Sequence, residues 1–205
     1  MTIFLLIRHG ENEFVKKGLM AGRQSGVYLN ENGRKQAQAV AEKLSGLKIK
    51  AIYSSPLERA IETAKPIATA LSSEIIIKQG LIEINVGEWQ NQSLKILRRN
   101  KIWKIVNGAP SRFHFPGGET FADAQIRICN EIQELSTQYE SKDVIICVSH
   151  GDPIRLAVAY FLGLPLDYFQ RLVVAPASIT ALDIKEAGSC LLMLNYEISF
   201  TLPKA

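Results

Sequence analysis

The sequence predicts an α/β fold, a three-layer α/β/α sandwich on a mainly parallel sheet, and three observations carry that expectation. Short apolar runs alternate with amphipathic stretches of helical period, the pattern of successive strand–helix units. Two runs, Ile3-Phe4-Leu5-Leu6-Ile7 and Val144-Ile145-Ile146-Cys147-Val148, are apolar at every position, as in short strands inside a sheet. Each of them delivers a His-Gly pair near its carboxyl end, His9-Gly10 and His150-Gly151, in a chain with only three histidines.

The elements follow in order. After the first run a polar loop passes through Gly22-Arg23-Gln24-Ser25-Gly26 to Leu29. Asn30 is placed to cap a helix whose apolar face is Ala37, Val40, Ala41 and Leu44, with Gly46 as its stop. Ala51-Ile52-Tyr53 reads as a brief strand leading into Ser55-Pro56-Leu57-Glu58-Arg59. There Ser55 is the expected N-cap, Pro56 the first helical residue and Glu58 the partner in a capping box. Leu57, Ala60, Ile61, Ala64, Ala68 and Leu71 line that helix, and Pro66 within it predicts a kink or a lost hydrogen bond. Ile75-Ile76-Ile77 is a further strand. Between Val86 and Gly118 one helix is expected around Leu94 to Val106, then a loop rich in Pro, Gly and aromatics. A long amphipathic helix starts from Glu119, with Phe121, Ala124, Ile128, Ile132 and Leu135 inward. The second histidine strand is followed by a helix opened by Asp152-Pro153, and strands over Ser178 to Ile184 and Leu191 to Tyr196 close the chain. No repeat or long linker interrupts this order, so residues 1–205 read as a single domain.

Composition narrows the function. A formal net charge of +4 with scattered Lys and Arg argues against a nucleic-acid partner, and Arg98-Arg99-Asn100-Lys101 reads as a solvated helix face. The N-terminal apolar run is too short for a signal segment, and no stretch approaches the ~20 apolar residues of a membrane span. Cys129, Cys147 and Cys190 are odd in number and widely spaced, which predicts buried free thiols in a reducing compartment. A cytoplasmic protein is expected.

The chemistry gathers at strand ends and helix starts, where open α/β sheets bind ligands. Arg8 and His9 follow the first strand, Arg59 opens a helix, Glu83 follows the third strand, and His150 the fourth. Two guanidinium groups can fork onto a tetrahedral oxyanion, while two imidazoles and a carboxyl offer a nucleophile, a donor and a proton shuttle. Phosphoryl transfer needs such positioning and charge neutralisation, and this set supplies both without a metal. No His-x-x-x-His spacing or helical ligand pair supports a zinc site, so no metal is expected.

The chain resembles the histidine phosphatase superfamily, also called phosphoglycerate mutase-like. The segments that carry the likeness are Leu6-Ile7-Arg8-His9-Gly10-Glu11, Ser54-Ser55-Pro56-Leu57-Glu58-Arg59-Ala60, Leu81-Ile82-Glu83-Ile84-Asn85-Val86-Gly87-Glu88-Trp89 and Val148-Ser149-His150-Gly151. Pro116-Gly117-Gly118-Glu119-Thr120 adds a helix-opening segment similar to one in many members. The resemblance implies that His9 attacks phosphorus and becomes a transient phosphohistidine. It implies that Arg8, Arg59, His150 and the Gly151 backbone hold the phosphoryl oxygens, and that Glu83 serves first as acid, then as base. Glu88 and Glu119 are the alternative carboxyls. Val15 stands where many members carry an asparagine, so that phosphate contact is either missing or replaced by Asn12, and the Ala21-Gly22-Arg23 segment offers a separate phosphate or substrate contact. The resemblance also implies a cycle that needs neither metal nor organic cofactor. His114, between Phe113 and Phe115, is either a specificity residue or plain packing.

The activity implied is hydrolysis of a small phosphomonoester. Two alternatives remain: a cofactor-dependent phosphoglycerate mutase, and a non-catalytic module that binds a phosphorylated ligand. Mutases of the family carry a long insertion between the catalytic Glu and the Gly-Gly-Glu segment, whereas here Gly118 follows Glu83 by 35 positions. Intact Arg8, His9, Arg59, Glu83 and His150 argue against a pure binder. Oligomeric state has no signature in the sequence.

Overall fold

β1 (Thr2–Arg8), β2 (Ala51–Ser54), β3 (Ile75–Ile77), β4 (Val144–Ser149), β5 (Ile179–Ile184) and β6 (Cys190–Tyr196) form one sheet in a computed structural model that describes residues 2–185 and 188–198. The spatial order is β3-β2-β4-β1-β5-β6. β1 to β4 run parallel, and β5 lies antiparallel between β1 and β6. Thus the sheet is mainly parallel, with its antiparallel part at one edge.

Alternation along each strand divides the core into two layers. Phe4, Leu6, Tyr53, Ile145, Cys147 and Leu182 face α6 (Phe121–Ser136) and α7 (Gly151–Phe161). Leu5, Ile7, Ile52, Ile146, Val148 and Ile179 face α2 (Glu31–Leu44) and α3 (Glu58–Ala70). Phe4, Leu6, Ile7 and Ile146 are fully buried, and each such side chain contributes roughly 1.5–3 kcal/mol through removal from water. A third apolar cluster, centred on Trp89, Phe113, Phe115, Phe121 and Phe169, fills the region beyond the carboxyl ends of the strands.

The β1–β4 pairing decides where the site lies. Arg8 is in register with Ser149, so His9 and His150 leave two adjacent parallel strands side by side. The connection from β1 departs toward β2, while that from β4 departs toward β5, on opposite sides of this pair. The gap is a topological switch point, the place where open sheets leave a crevice for ligand.

Several local expectations hold. Asn30 caps α2 by accepting from the Gly33 N–H at 2.8 Å, and Gly46 follows the helix with a positive φ of 84°. The long helix expected from Glu119 is α6, which begins at Phe121 behind a reciprocal capping box of Thr120 and Asp123. Others do not. α3 starts at Glu58 with Leu57 as an unassisted N-cap, because the Glu58 carboxylate accepts from the Gly26 N–H at 2.9 Å instead of turning back to Ser55. Pro66 lies within α3 and has no N–H for the carbonyl four residues back, so the one helical bond expected to be lost there is lost, while the helix itself continues. The helix expected around Leu94 to Val106 is two short ones, α4 (Leu94–Leu97) and α5 (Trp103–Gly108), separated by turns at the polar Arg98-Arg99-Asn100-Lys101 stretch. α7 opens at Gly151, so Pro153 occupies its third position, where an N–H would have no intrahelical partner. Cys129 and Cys147 are buried free thiols, but Cys190 is exposed, because it lies on the edge strand β6. No described helix is long and apolar enough to cross a membrane.

Candidate active site

His9 follows the last residue of β1, and its ring is almost fully buried. Its Nδ1 lies 2.7 Å from the Gly10 carbonyl oxygen, which can only accept. The neutral ring therefore carries its proton on Nδ1 and leaves the Nε2 lone pair free. Burial, then the charges of Arg59 and Arg8, hold its pKa well below the usual imidazole value. His9 is thus neutral at pH 7. The turn after it needs glycine for space rather than for an unusual backbone angle. A Cβ on Gly10 would sit 2.6 Å from the Gly33 carbonyl oxygen of α2.

His150 is fully buried beside it, with ring centroids 5.1 Å apart. The Ser55 hydroxyl accepts from the Leu57 N–H at 3.3 Å and lies 2.7 Å from His150 Nε2. With the Ser55 hydroxyl assigned as donor to Nε2, the His150 proton sits on Nδ1. Nδ1 has no hydrogen-bond partner and lies 3.9 Å from Glu83 Oε2. Burial and the Arg59 charge lower the His150 pKa as well.

The two arginines enter from different elements. Arg8 ends β1 and donates to the Val174 carbonyl at 2.6 Å; burial and the Arg155 charge push its pKa down to about 10. A Cβ on Gly151 would come 3.3 Å from the Arg8 guanidinium, so glycine lets the start of α7 lie against it. Arg59, in the first turn of α3, is almost fully buried and spends one Nη2 bond of 2.7 Å on the Gly22 carbonyl. Burial lowers its pKa too. Asn12 caps the short helix α1 (Glu13–Lys17) by accepting from the Val15 N–H at 2.8 Å, which leaves its amide Nδ2 free.

One feature unites these groups. Arg8 Nε, Arg59 Nε and Nη1, Asn12 Nδ2 and His150 Nδ1 are buried donors without a partner. Such groups cost free energy unless something accepts from them, and a multidentate oxyanion does so. Arg8, His9, Asn12, Arg59, Glu83 and Gly151 line a cavity of about 400 Å³, with His150 just behind. Apolar side chains including Val15, Leu19, Met20, Leu94, Trp103 and Val106 also line it, together with the polar Arg98, Asn107 and Gln170.

Glu83 stands opposite the imidazoles in an irregular segment between β3 and α4. One carboxylate oxygen accepts from the Ile84 N–H at 2.9 Å. Burial, reinforced by Asp152, raises its pKa to about 7, against the pull of Arg59 and Arg8. A carboxyl with that pKa is about half protonated at neutral pH and can both give and take a proton there. Among the alternatives, Glu88 is exposed. Glu119 accepts from Arg23, Arg127 and the Asn85 N–H, at 2.9, 2.8 and 2.9 Å, all at one oxygen.

Arg23, expected as a contact, and His114, expected either as a contact or as plain packing, both lie outside the cavity lining. Arg23 does not line the cavity, because its guanidinium is held by the Glu83 carbonyl at 2.9 Å and by Glu119. His114 is exposed and bonds to the Gly118 carbonyl, while its neighbours Phe113 and Phe115 pack inward. Conversely, Asp152, Arg155 and Trp103 line the cavity without having been singled out from the sequence. Asp152 and Arg155 share the first turns of α7, so their spacing from His150 was the available signal.

The fold and this site together define a hydrolase of phosphate esters. The chain belongs to the histidine phosphatase superfamily, branch 1, whose family model matches residues 4–197. It is 32% identical to a 2,3-bisphosphoglycerate-dependent phosphoglycerate mutase of Thermoplasma acidophilum, over 90% of this chain and 88% of that one. It is 30% identical to phosphoserine phosphatase 1 of Hydrogenobacter thermophilus, over 95% and 92% of the two chains. Among solved structures, a phosphoserine phosphatase from Entamoeba histolytica in complex with 3-phosphoglyceric acid superposes with a TM-score of 0.85 at 29% identity, covering 97% of this chain and 98% of that one. The mutase relative matches along most of its length, so a long insertion does not by itself separate mutases from phosphatases.

Proposed function

We propose that the protein hydrolyses a small phosphomonoester in two in-line steps through a phosphohistidine on His9. The observation that carries this reading is the set of unpartnered buried donors converging around the free His9 Nε2. In the first step the Nε2 lone pair attacks phosphorus, and the phosphorus–oxygen bond breaks toward the leaving alcohol. Glu83 gives that oxygen its proton. In the second step a water attacks phosphorus and passes a proton to the Glu83 carboxylate, and the nitrogen–phosphorus electron pair returns to Nε2. Arg8, Arg59, Asn12 and His150 Nδ1–H hold the non-bridging oxygens, with the Gly151 N–H at the start of α7 beside them. The phosphatases among its relatives support a phosphorylated metabolite as substrate, and two buried thiols fit a reducing cytoplasmic setting.

Mutase action is the second reading, favoured by the Thermoplasma relative. It needs the same His9 and Glu83 but returns the phosphoryl group to a bound acid. Incubation with 3-phosphoglycerate and with phosphoserine, scoring free phosphate against isomerised product, separates the two. Hydrolysis predicts phosphate release from at least one ester with no dependence on a bisphosphorylated primer. Isomer formation with negligible phosphate release would overturn it.

A further inference from the structure

The segment that presents Glu83 has no secondary structure between Ile82 and Val86, yet its backbone carbonyls are not left to solvent. Arg127, on the polar side of α6, donates from Nη1 to the Gly80 and Ile82 carbonyls at 2.9 and 2.8 Å. Arg23 donates from Nε to the Glu83 carbonyl at 2.9 Å. Glu119 joins both arginines through one oxygen, and that oxygen also accepts from the Asn85 N–H. The Glu119 N–H in turn donates to the Asn85 carbonyl at 2.9 Å. Glycine at position 118 permits this approach, since a Cβ there would lie 2.2 Å from the Asn85 carbonyl oxygen. Neither arginine lines the cavity.

We infer that Arg127, with Arg23 and Glu119, is a clamp that sets the position of the Glu83 carboxyl, and that Arg127 is its central positioning residue. The inference rests on the reading of Glu83 as proton donor. Both ion pairs are largely shielded from water, and charge-assisted bonds to carbonyls are directional. An irregular loop held only by its own backbone would let a carboxyl wander by an ångström, and displacements of that size cost up to ~10²-fold in rate. The Gly118-Glu119 pair then has a defined use: it docks one loop onto the other and supplies the charge that ties two guanidinium groups together. Arg127 touches neither substrate nor reacting atoms in this account. Its bonds act on the position of Glu83, while its charge also adds to those that lower the His150 pKa.

The test is the leaving-group dependence of Arg127→Met, Arg127→Lys and Glu119→Gln, with each variant's melting temperature recorded. An alkyl phosphate requires the acid, whereas a nitrophenyl phosphate departs with little help. Arg127→Met is expected to lower kcat on the alkyl ester about 10-fold or more beyond its effect on the aryl ester, with KM little changed. Its alkaline pH limb should also shift, and Arg127→Lys should recover part of the loss. Glu119→Gln, which preserves shape, should move the alkyl-to-aryl ratio in the same direction. If Arg127→Met does not fold, Glu119→Gln decides the matter. Equal losses on both esters, or a lower melting temperature with an unchanged ratio, would make the clamp merely structural. Were Glu83→Gln itself to leave the ratio unchanged, the failure would belong to the assignment of Glu83.

Discussion

His9 and His150 meet edge to face, with ring centroids 5.1 Å apart, and each spends one ring nitrogen on a partner outside the cavity. His9 is pinned through Nδ1 by the Gly10 carbonyl, and His150 through Nε2 by the Ser55 hydroxyl. One ring is left with a lone pair and the other with a proton. Two imidazoles of the same chemistry are thereby given opposite tasks.

His9→Ala should lower turnover by at least about 10³-fold, because no other side chain offers a lone pair at that point. The ring is buried but small, and the fold should survive its loss. Mixing with a radiolabelled aryl phosphate, then acid or alkaline quench, should trap an acid-labile, alkali-stable phosphoprotein on the parent and none on the variant.

The pH profile of kcat/KM on an alkyl phosphate should fall on the alkaline side with an apparent pKa near 7. Glu83 is raised to about 7 and must be protonated to act as acid, so activity declines tenfold per pH unit above that value. The acid side is not set by His9, whose pKa lies well below 6.5, so the ring stays neutral through the working range. Glu83→Gln should abolish the alkaline limb. A limb that persists unchanged in that variant would assign it to another group.

Phosphate or vanadate should stabilise the protein strongly, since each gives the buried donors of Arg8 and Arg59 their missing acceptors. Saturation at about 100 times Kd corresponds to ~2.7 kcal/mol, or a rise in melting temperature of roughly 5–10 °C for a chain of this size. Arg59→Met should lose most of that rise. The variant without ligand should melt no lower than the parent by more than a few degrees.

Chelators should leave the rate unchanged. The guanidinium groups supply positive charge where a metal enzyme places its ion, and no cluster of three metal-ligating side chains occurs among the described residues. Steady-state rates before and after treatment with EDTA check this. Loss of activity restored only by a divalent ion would contradict it.

Much of this architecture was legible in the chain because its signals were short-range. All-apolar runs marked β1 and β4, and the Arg-His and Ser-His pairs at their ends carried the site. Two of the misreadings, at the start of α3 and at Arg23, share a cause, which is competition from distant partners. Ser55 and Glu58 have the residue types of a capping box, yet Ser55 is engaged with His150 and Glu58 with Gly26, 95 and 32 positions away. Arg23 looked like a substrate contact in its glycine-flanked loop, but Glu119 lies 96 positions on and holds it. Arg127 gave no sign at all: on a helix surface it is one more polar residue until the loop of Glu83 is laid across it. Val15, the departure from the family pattern, does line the cavity, and the free amide is that of Asn12 nearby.

The central claim is that Glu83 moves the proton while His9 carries the phosphoryl group, and pre-steady-state kinetics of Glu83→Gln test it most directly. With an aryl phosphate the variant should form phosphoenzyme at close to the parent rate and show a burst of phenol near one equivalent. Its hydrolysis should then slow, because water has lost its base, and phosphoenzyme should accumulate. With an alkyl phosphate, formation itself should fall by roughly 10²–10⁴-fold. Equal losses on both esters, without a burst and without accumulation, would contradict the account and leave Glu83 a structural residue.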